Sequence, residues 1–199
     1  MHHTRHTARR LTTLALAATT VCALAACGAR DGGPSGPRGH GPDADAAAHN
    51  AADAAFARDM IPHHRQALEM TGLAAGRASS PAVRNLAAEI AKAQKPEITT
   101  LERWLTSWGE RVPGAMRHSG AHAMAGMMSE ADMKGLEKSR GAAFDAAFLR
   151  LMIDHHEGAV TMAETESERG AHGGAKALAR RIVTTQNAEI ATMRKLGDG

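Results

Sequence analysis

From Asp53 onward the apolar positions recur at alternating steps of four and three residues, the spacing of one face of an α-helix. Phe56, Met60, His63, Ala67, Met70 and Ala74 form the first such stripe. Val83, Ala87, Ile90, Gln94, Glu97, Leu101, Trp104 and Trp108 form the second. Ser79-Ser80-Pro81 separates them, and Gly109 and Pro113 end the second. Phe148, Met152, His155, Ala159, Met162 and Glu166 make a third stripe, and Ala179, Ile182, Gln186, Glu189, Met193 and Leu196 a fourth, with the break at residues 170–174. Amphipathic helices of this kind bury their apolar stripes against one another. The pattern therefore predicts an all-α fold, a four-helix bundle built from two helical hairpins.

The two hairpins are copies. DAAFARDMIPHH starts at Asp53 and DAAFLRLMIDHH at Asp145, an offset of 92 that holds without a gap to the end of the chain. Between 53–105 and 145–197, 19 of 53 positions are identical, and the matches include polar residues as well as apolar ones. Duplication of a fold alone needs only the apolar stripe, so the retained His, Gln and Glu point to a duplicated site. Asp53 is a candidate N-cap acceptor. Pro62 and Pro96 fall inside predicted helices, where proline removes a hydrogen bond and bends the chain. The first hairpin is expected to bend near its His pair. Ser129 with Asp132 resembles a capping box that opens a short helix, closed near Gly141.

Ahead of the repeat, Arg5, Arg9 and Arg10 precede an apolar run, Leu11 to Ala26, that is shorter than the ~20 residues needed to span a bilayer. This is the layout of a secretory signal. Leu24-Ala25-Ala26-Cys27 resembles a bacterial lipobox, which would make Cys27 the lipidated first residue of the mature chain. Residues 27–52, rich in Gly, Pro and Asp, read as a flexible tether in which His40 and His49 are incidental. The domain plan is then a lipoprotein signal at 1–26, the tether at 27–52, hairpin one at 53–108, a connector at 109–144 and hairpin two at 145–197.

The signal also carries the basic excess. Three of the 24 basic residues and none of the 21 acidic ones lie in residues 1–26, so the mature chain balances 21 against 21. Nucleic-acid binding is not indicated, and there is no Tyr for base stacking. The only cysteines are Cys22, lost with the signal, and Cys27, so neither a disulfide nor a thiolate metal site is available. Nine His and ten Met remain as metal-ligand candidates.

His63, Gln94 and Glu97 lie on core-facing stripes, as do His155, Gln186 and Glu189. Buried polar groups need partners. Antiparallel pairing about a turn near residue 80 sets His63 opposite Glu97, and a turn near 172 sets His155 opposite Glu189. His64 and His156 sit beside the stripe. Met60 and Met152 precede the histidines by three residues on the same face. Imidazole suits Zn, Cu, Fe and Ni, and thioether selects copper. The expected metal ligands are Met60, His63, His64, Glu97, Met152, His155, His156 and Glu189. Glu97 and Glu189 act either as direct ligands or as acceptors that orient imidazole N–H groups. Gln94 and Gln186 stand behind them. The connector adds Met116, His118, His122, Met124, Met127 and Met128 as possible further ligands, with Met133 nearby. Glu157, Glu164, Glu166 and Glu168 read as a solvated face, and Trp104 and Trp108 as packing. If both turns lie at one end, the two His levels coincide in one shared site; if the connector crosses to the other end, two separate sites are expected.

The segments FARDMIPHHRQALEM and FLRLMIDHHEGAVTM, the Gln-x-x-Glu-Ile after each, and GMMS at 126–129 resemble the bacterial family called domain of unknown function 305, over about 53–197. The resemblance implies a ferritin-like bundle, exported, with some members associated with copper in the cell envelope. By position, the implied ligands are Met60, His63, His64, Met152, His155 and His156. A di-iron centre fits less well, because such bundles need several inward carboxylates and Glu-x-x-His pairs. The expected function is extracytoplasmic metal binding, with copper sequestered or passed on, at the outer face of the membrane through a lipid on Cys27. The alternative is a metal-free envelope interaction module whose His–Glu pairs are structural. A di-iron or copper redox enzyme stands third, since no nucleophile or acid–base constellation argues for catalysis. The sequence leaves the protein partner unknown.

Overall fold

The structure, a computed structural model, describes residues 48–114 and 125–198. Five helices and no strand occur among the described residues: α1 (Ala51–Arg77), α2 (Pro81–Ser107), α3 (Glu130–Lys138), α4 (Gly141–Arg169) and α5 (Gly173–Gly197). The four stripes correspond to the four long helices, and the proposed capping box opens α3, where Ser129 and Asp132 satisfy each other's backbone N–H.

Two boundaries differ from expectation. The N-cap of α1 is Asn50, whose side chain accepts from the amides of Ala52 and Asp53, while Asp53 returns a bond to the Asn50 amide. Asp53 is thus the third helical residue of a capping box, not the cap. α4 starts four residues before the repeat, at Gly141, whose φ of +62° suits glycine. Both α1 and α2 continue through Pro62 and Pro96.

Contacts at the tips fix the topology. The Asp53 carboxylate accepts from the amides of Ala171 and His172, at 3.0 and 2.9 Å, in the turn between α4 and α5. Its copy, Asp145, accepts from the Ser79 hydroxyl and the Ser80 amide in the turn between α1 and α2. The offset of 92 maps one set of contacts onto the other, so the hairpins are related by an approximate two-fold axis across the bundle. α1 and α4 lie antiparallel, the two turns lie at opposite ends, and the segment joining α2 to α4 begins at one end and finishes at the other. Contacts are dense within each hairpin and between α1 and α4, and sparse between α2 and α5.

The core is divided. One apolar cluster holds Met70, Ile90, Phe144, Phe148, Met152 and Met193, with Met128, Met133 and Leu136 closing its end. The other holds Phe56, Met60, Ile61, Leu101, Leu105 and Ile182. Between them lies a buried polar layer of His63, His64, Gln94, His155, His156 and Gln186.

Candidate metal centre

His63 falls at the middle of α1 and His155 at the middle of α4. When two copies of one helix pack antiparallel, equivalent positions share a level only at the midpoints, and that coincidence builds the layer. The His63 and His155 rings lie 3.7 Å apart between centroids, tilted by 39°. His156 is beside them, 6.3 Å from His155. The expectation that a crossing connector separates the two His levels is therefore corrected. The segment between α2 and α4 does join opposite ends, and the His pairs still share one level, because each sits at half-height rather than near a turn.

The His–Glu pairing is also corrected. His64, not His63, meets Glu97, with Nε2 to Oε2 at 2.8 Å. His156, not His155, meets Glu189 at 2.7 Å. Successive helical residues point about 100° apart. His63 and His155 point at each other across the α1–α4 contact, and the next residue in each helix points toward its own hairpin partner. Both imidazoles of these pairs are fully buried, while Glu97 and Glu189 keep 22% and 15% of their side-chain surface exposed. The glutamates therefore stand at the rim and the imidazoles inside. In the neutral ring a proton on Nε2 is held by the carboxylate, and the Nδ1 lone pair is directed inward. That is the arrangement in which a carboxylate orients an imidazole ligand.

The layer is left with polar atoms that nothing satisfies. Both ring nitrogens of His63 and His155, Nδ1 of His64 and His156, both amide atoms of Gln94 and Oε1 of Gln186 are buried without a hydrogen-bond partner. Each such atom costs about 1–3 kcal/mol. Burial, reinforced by the charges of His64 and His156, pushes the His63 imidazole down to about 3. Burial and the neighbouring His63, His156 and His64 hold His155 well below its ordinary range. These two rings are neutral at physiological pH, the state in which imidazole binds a metal. The Ala125 carbonyl lies against His63 and slightly favours its charged form, without reaching hydrogen-bond geometry.

Met60 and Met152 are fully buried, one in each apolar cluster. As the side chains stand, no three His, Cys, Asp or Glu groups are gathered closely enough to cage an ion among the described residues. The donor chemistry, four imidazoles and two thioethers, nonetheless suits copper. It does not suit a di-iron centre, since the two carboxylates beside it are at the rim and engaged by histidine.

Of the connector residues, Met127 is half-buried and Met128 buried in the core; Met116, His118, His122 and Met124, and the proposed lipid site Cys27, lie outside the described residues. The stripe analysis passed over three features. Gln66, buried one turn beyond His63, bonds the connector backbone; its signal was a polar residue at i+3 from a core histidine. Glu166 is buried, not solvated, and lies against Asp53; its place on the stripe was the signal. His49 is not incidental: it stacks on Trp108 at 4.6 Å, and His172 meets Trp104 and Trp108 edge-on. His172 caps α5 through Nδ1, which accepts from the Ala175 amide.

Comparison with known proteins agrees with this architecture. No curated protein matches the chain. Among solved structures, a protein of Streptomyces coelicolor described as secreted is 37% identical, with a TM-score of 0.66, covering 77% of this chain and 93% of its own. A fragment from Deinococcus radiodurans is 34% identical, with a TM-score of 0.68, covering 75% and 97%. CopM in its Cu(II)-bound form is 30% identical, with a TM-score of 0.64, covering 73% and 95%; CopM was also crystallised with Cu(I) and with silver. The profile of the domain of unknown function (DUF305) matches residues 53–197. The chain belongs to the DUF305 family.

Proposed function

We propose that this protein binds copper outside the cytoplasm, sequestering it or passing it on, through one site shared by its two hairpins. The observation that carries the reading is the buried layer of four imidazoles with six unpartnered ring nitrogens. An ion held there would satisfy several of them at once. His63, His64, His155 and His156 are the proposed nitrogen ligands, with Met60 and Met152 as thioethers on either side. Glu97 and Glu189 would orient His64 and His156 rather than bind the ion themselves. The copper- and silver-bound forms of CopM support the choice of metal. Met127 and Met128, with Met116, His118, His122 and Met124, are proposed as a capture segment.

Export fits the secreted description of the Streptomyces relative. No described helix is long and apolar enough to cross a membrane. Attachment to the outer face of the membrane would rest on lipidation of Cys27. Mass spectrometry of membrane-extracted protein should find a diacylglyceryl group there; an unmodified or absent Cys27 would contradict it.

Titration of the mature protein with Cu(I) should saturate at one equivalent in the helical core. His63→Ala with His155→Ala should remove it, and unchanged affinity in that double variant would end the reading. A second reading, a metal-free interaction module, is favoured by one fact: the two His–Glu pairs are complete without an ion. Thermal melts separate the two. An ion that binds only the native state stabilises it by about 2.7 kcal/mol at a hundredfold excess over its dissociation constant. A melt indifferent to copper would favour the second reading.

A further inference from the structure

The two copies diverge beside the imidazoles in a complementary way. Gln66 and Gly158 occupy equivalent positions, each two residues after its His-His pair. The buried Gln66 amide grips the backbone of Met128 on both sides: Nε2 donates to the Met128 carbonyl at 3.0 Å, and the Met128 amide donates to Oε1 at 2.7 Å. At Gly158 the opposite happens. A Cβ there would collide with the Ala125 carbonyl and the Gly126 backbone. From the other side, a Cβ on Gly126 would stand 2.8 Å from the Asp154 carbonyl and the Gly158 Cα. Gly126 also has a φ of +76°, which favours glycine independently.

The turn 125–128 is thus seated backbone-to-backbone on the middle of α4, with the Ala125 carbonyl against His63. One copy supplies a clamp and the other supplies the space. The neighbouring Arg65 holds the start of the same connector, bonding the carbonyls of Pro113 and Gly114 at 2.9 and 2.7 Å. Both ends of the Met/His-rich stretch are therefore fastened by adjacent residues next to the His pair of α1.

We propose that Gln66 and Gly158 are positioning residues that seat the Ala125–Met128 turn over the imidazole layer, so that an ion enters or leaves only when this turn lifts. The inference rests on the copper-site reading for its ion, but the closure itself is testable without metal. Gln66→Leu keeps the bulk and removes both bonds to Met128. Gly158→Ala adds the atom that the turn cannot accommodate, and serves as a second route to the same open state.

Three measurements on the full mature chain decide it. Amide exchange at Met128 reports whether the turn is released. Diethyl pyrocarbonate, which acylates neutral imidazole, reports by peptide mass whether His63 and His155 have become reachable in metal-free protein. Transfer of bound Ag(I) to a competing chelator reports ion release. Loss of two buried hydrogen bonds should raise all three rates by about tenfold in Gln66→Leu, with the number of ions bound unchanged. Wild-type acylation or release rates alongside a freely exchanging Met128 amide would overturn the proposal, because the turn would then not be the barrier. An unchanged Met128 amide would overturn it too, because Gln66 would not be what holds the turn. Faster acylation in a protein that never binds silver or copper would leave the closure standing and remove the copper reading instead.

Discussion

The two hairpins differ most where the duplicated site meets the rest of the molecule. At the centre the copies agree: Met60 with Met152, His63-His64 with His155-His156, Gln94 with Gln186, Glu97 with Glu189. Around that centre they part. Arg65 is answered by Glu157, Gln66 by Gly158, Pro62 by Asp154 and Ala74 by Glu166. The antiparallel crossing of α1 and α4 explains the contrast. Residues at the midpoints meet their own copies across the two-fold axis, so a change in one alters the surroundings of the other. Residues beside the connector meet different neighbours, because the chain has one connector and it can lie on only one side.

If the central layer works as one site, its halves should fail together. His63→Ala and His155→Ala, made singly, should each weaken copper binding by well over a hundredfold, beyond the ~10–100-fold typical of residues that only support ligands. Equilibrium competition with a chelator measures this. Two variants that each lost half of the bound copper at undiminished affinity would instead mean two independent sites.

Away from the axis, the tips break the symmetry through charge. Asp145 receives the Ser79 hydroxyl and the Ser80 amide. Asp53 receives three amides and also faces Glu166, a residue whose copy is Ala74. Burial and the charge of the neighbouring Asp53 carboxylate push Glu166 up to about 8, with Lys176 opposing. Burial alone would raise Asp53 as well; the Asn50, Ala171 and His172 amides that it accepts from, with Glu166 alongside, outweigh burial and lower it. Glu166 thus keeps its proton at neutral pH beside an ionised Asp53. The folded chain binds that proton more tightly than the unfolded chain does, whose glutamate titrates near 4.5. The stabilisation is therefore complete below about pH 4.5 and lost as pH rises through about 8. Denaturant unfolding should show stability falling across that window by on the order of 1–3 kcal/mol, part of the limit that the shift sets. Glu166→Gln should flatten the slope. An unaltered slope would mean that the proton is held elsewhere.

Much of this architecture was legible in the chain. Period-3.6 stripes and turn residues located four long helices to within a few residues, and the offset of 92 announced two equivalent hairpins. Register was less accessible. His63 and His64 are both inward, and periodicity alone assigns a face only to within about one residue, so the wrong member of each pair was matched to its glutamate. The common level of the imidazoles was hidden because it depends on where the histidines fall along their helices, not on which end the connector reaches. Asn50 was missed as a cap because it sits in a stretch that composition marks as a tether. Gln66 was missed because the stripe passes through Ala67, its neighbour.

The rim glutamates offer a finer comparison. Glu97→Gln and Glu189→Gln keep shape and remove the charge that orients His64 and His156. Each should cost about 10–100-fold in copper affinity while leaving stoichiometry intact. Glu189 is the less exposed of the two, so its loss should be the larger. Equal loss from both would place the effect in general charge at the rim rather than in orientation. Loss of the ion altogether would make the glutamates ligands themselves.

The smallest expected effect concerns the swapped charges. Arg65 pairs with Glu102 at 2.7 Å, and at the equivalent positions Glu157 pairs with Arg194 at 2.8 Å, with the signs exchanged. Each bridge ties the first helix of its hairpin to the second. The second pair is well exposed, at 52–61% of side-chain surface, and an exposed pair contributes about 0.2–1 kcal/mol. Arg194→Gln should therefore shift stability by no more than that. Arg65→Gln should cost more, because the same guanidinium also holds Pro113 and Gly114. The excess should vanish in a chain cut between the two connector ends, where those carbonyls no longer restrain the turn over the imidazoles. Equal costs for the two arginines would mean that the bridge is all Arg65 provides, and that the connector is fastened beside the histidines by Gln66 alone.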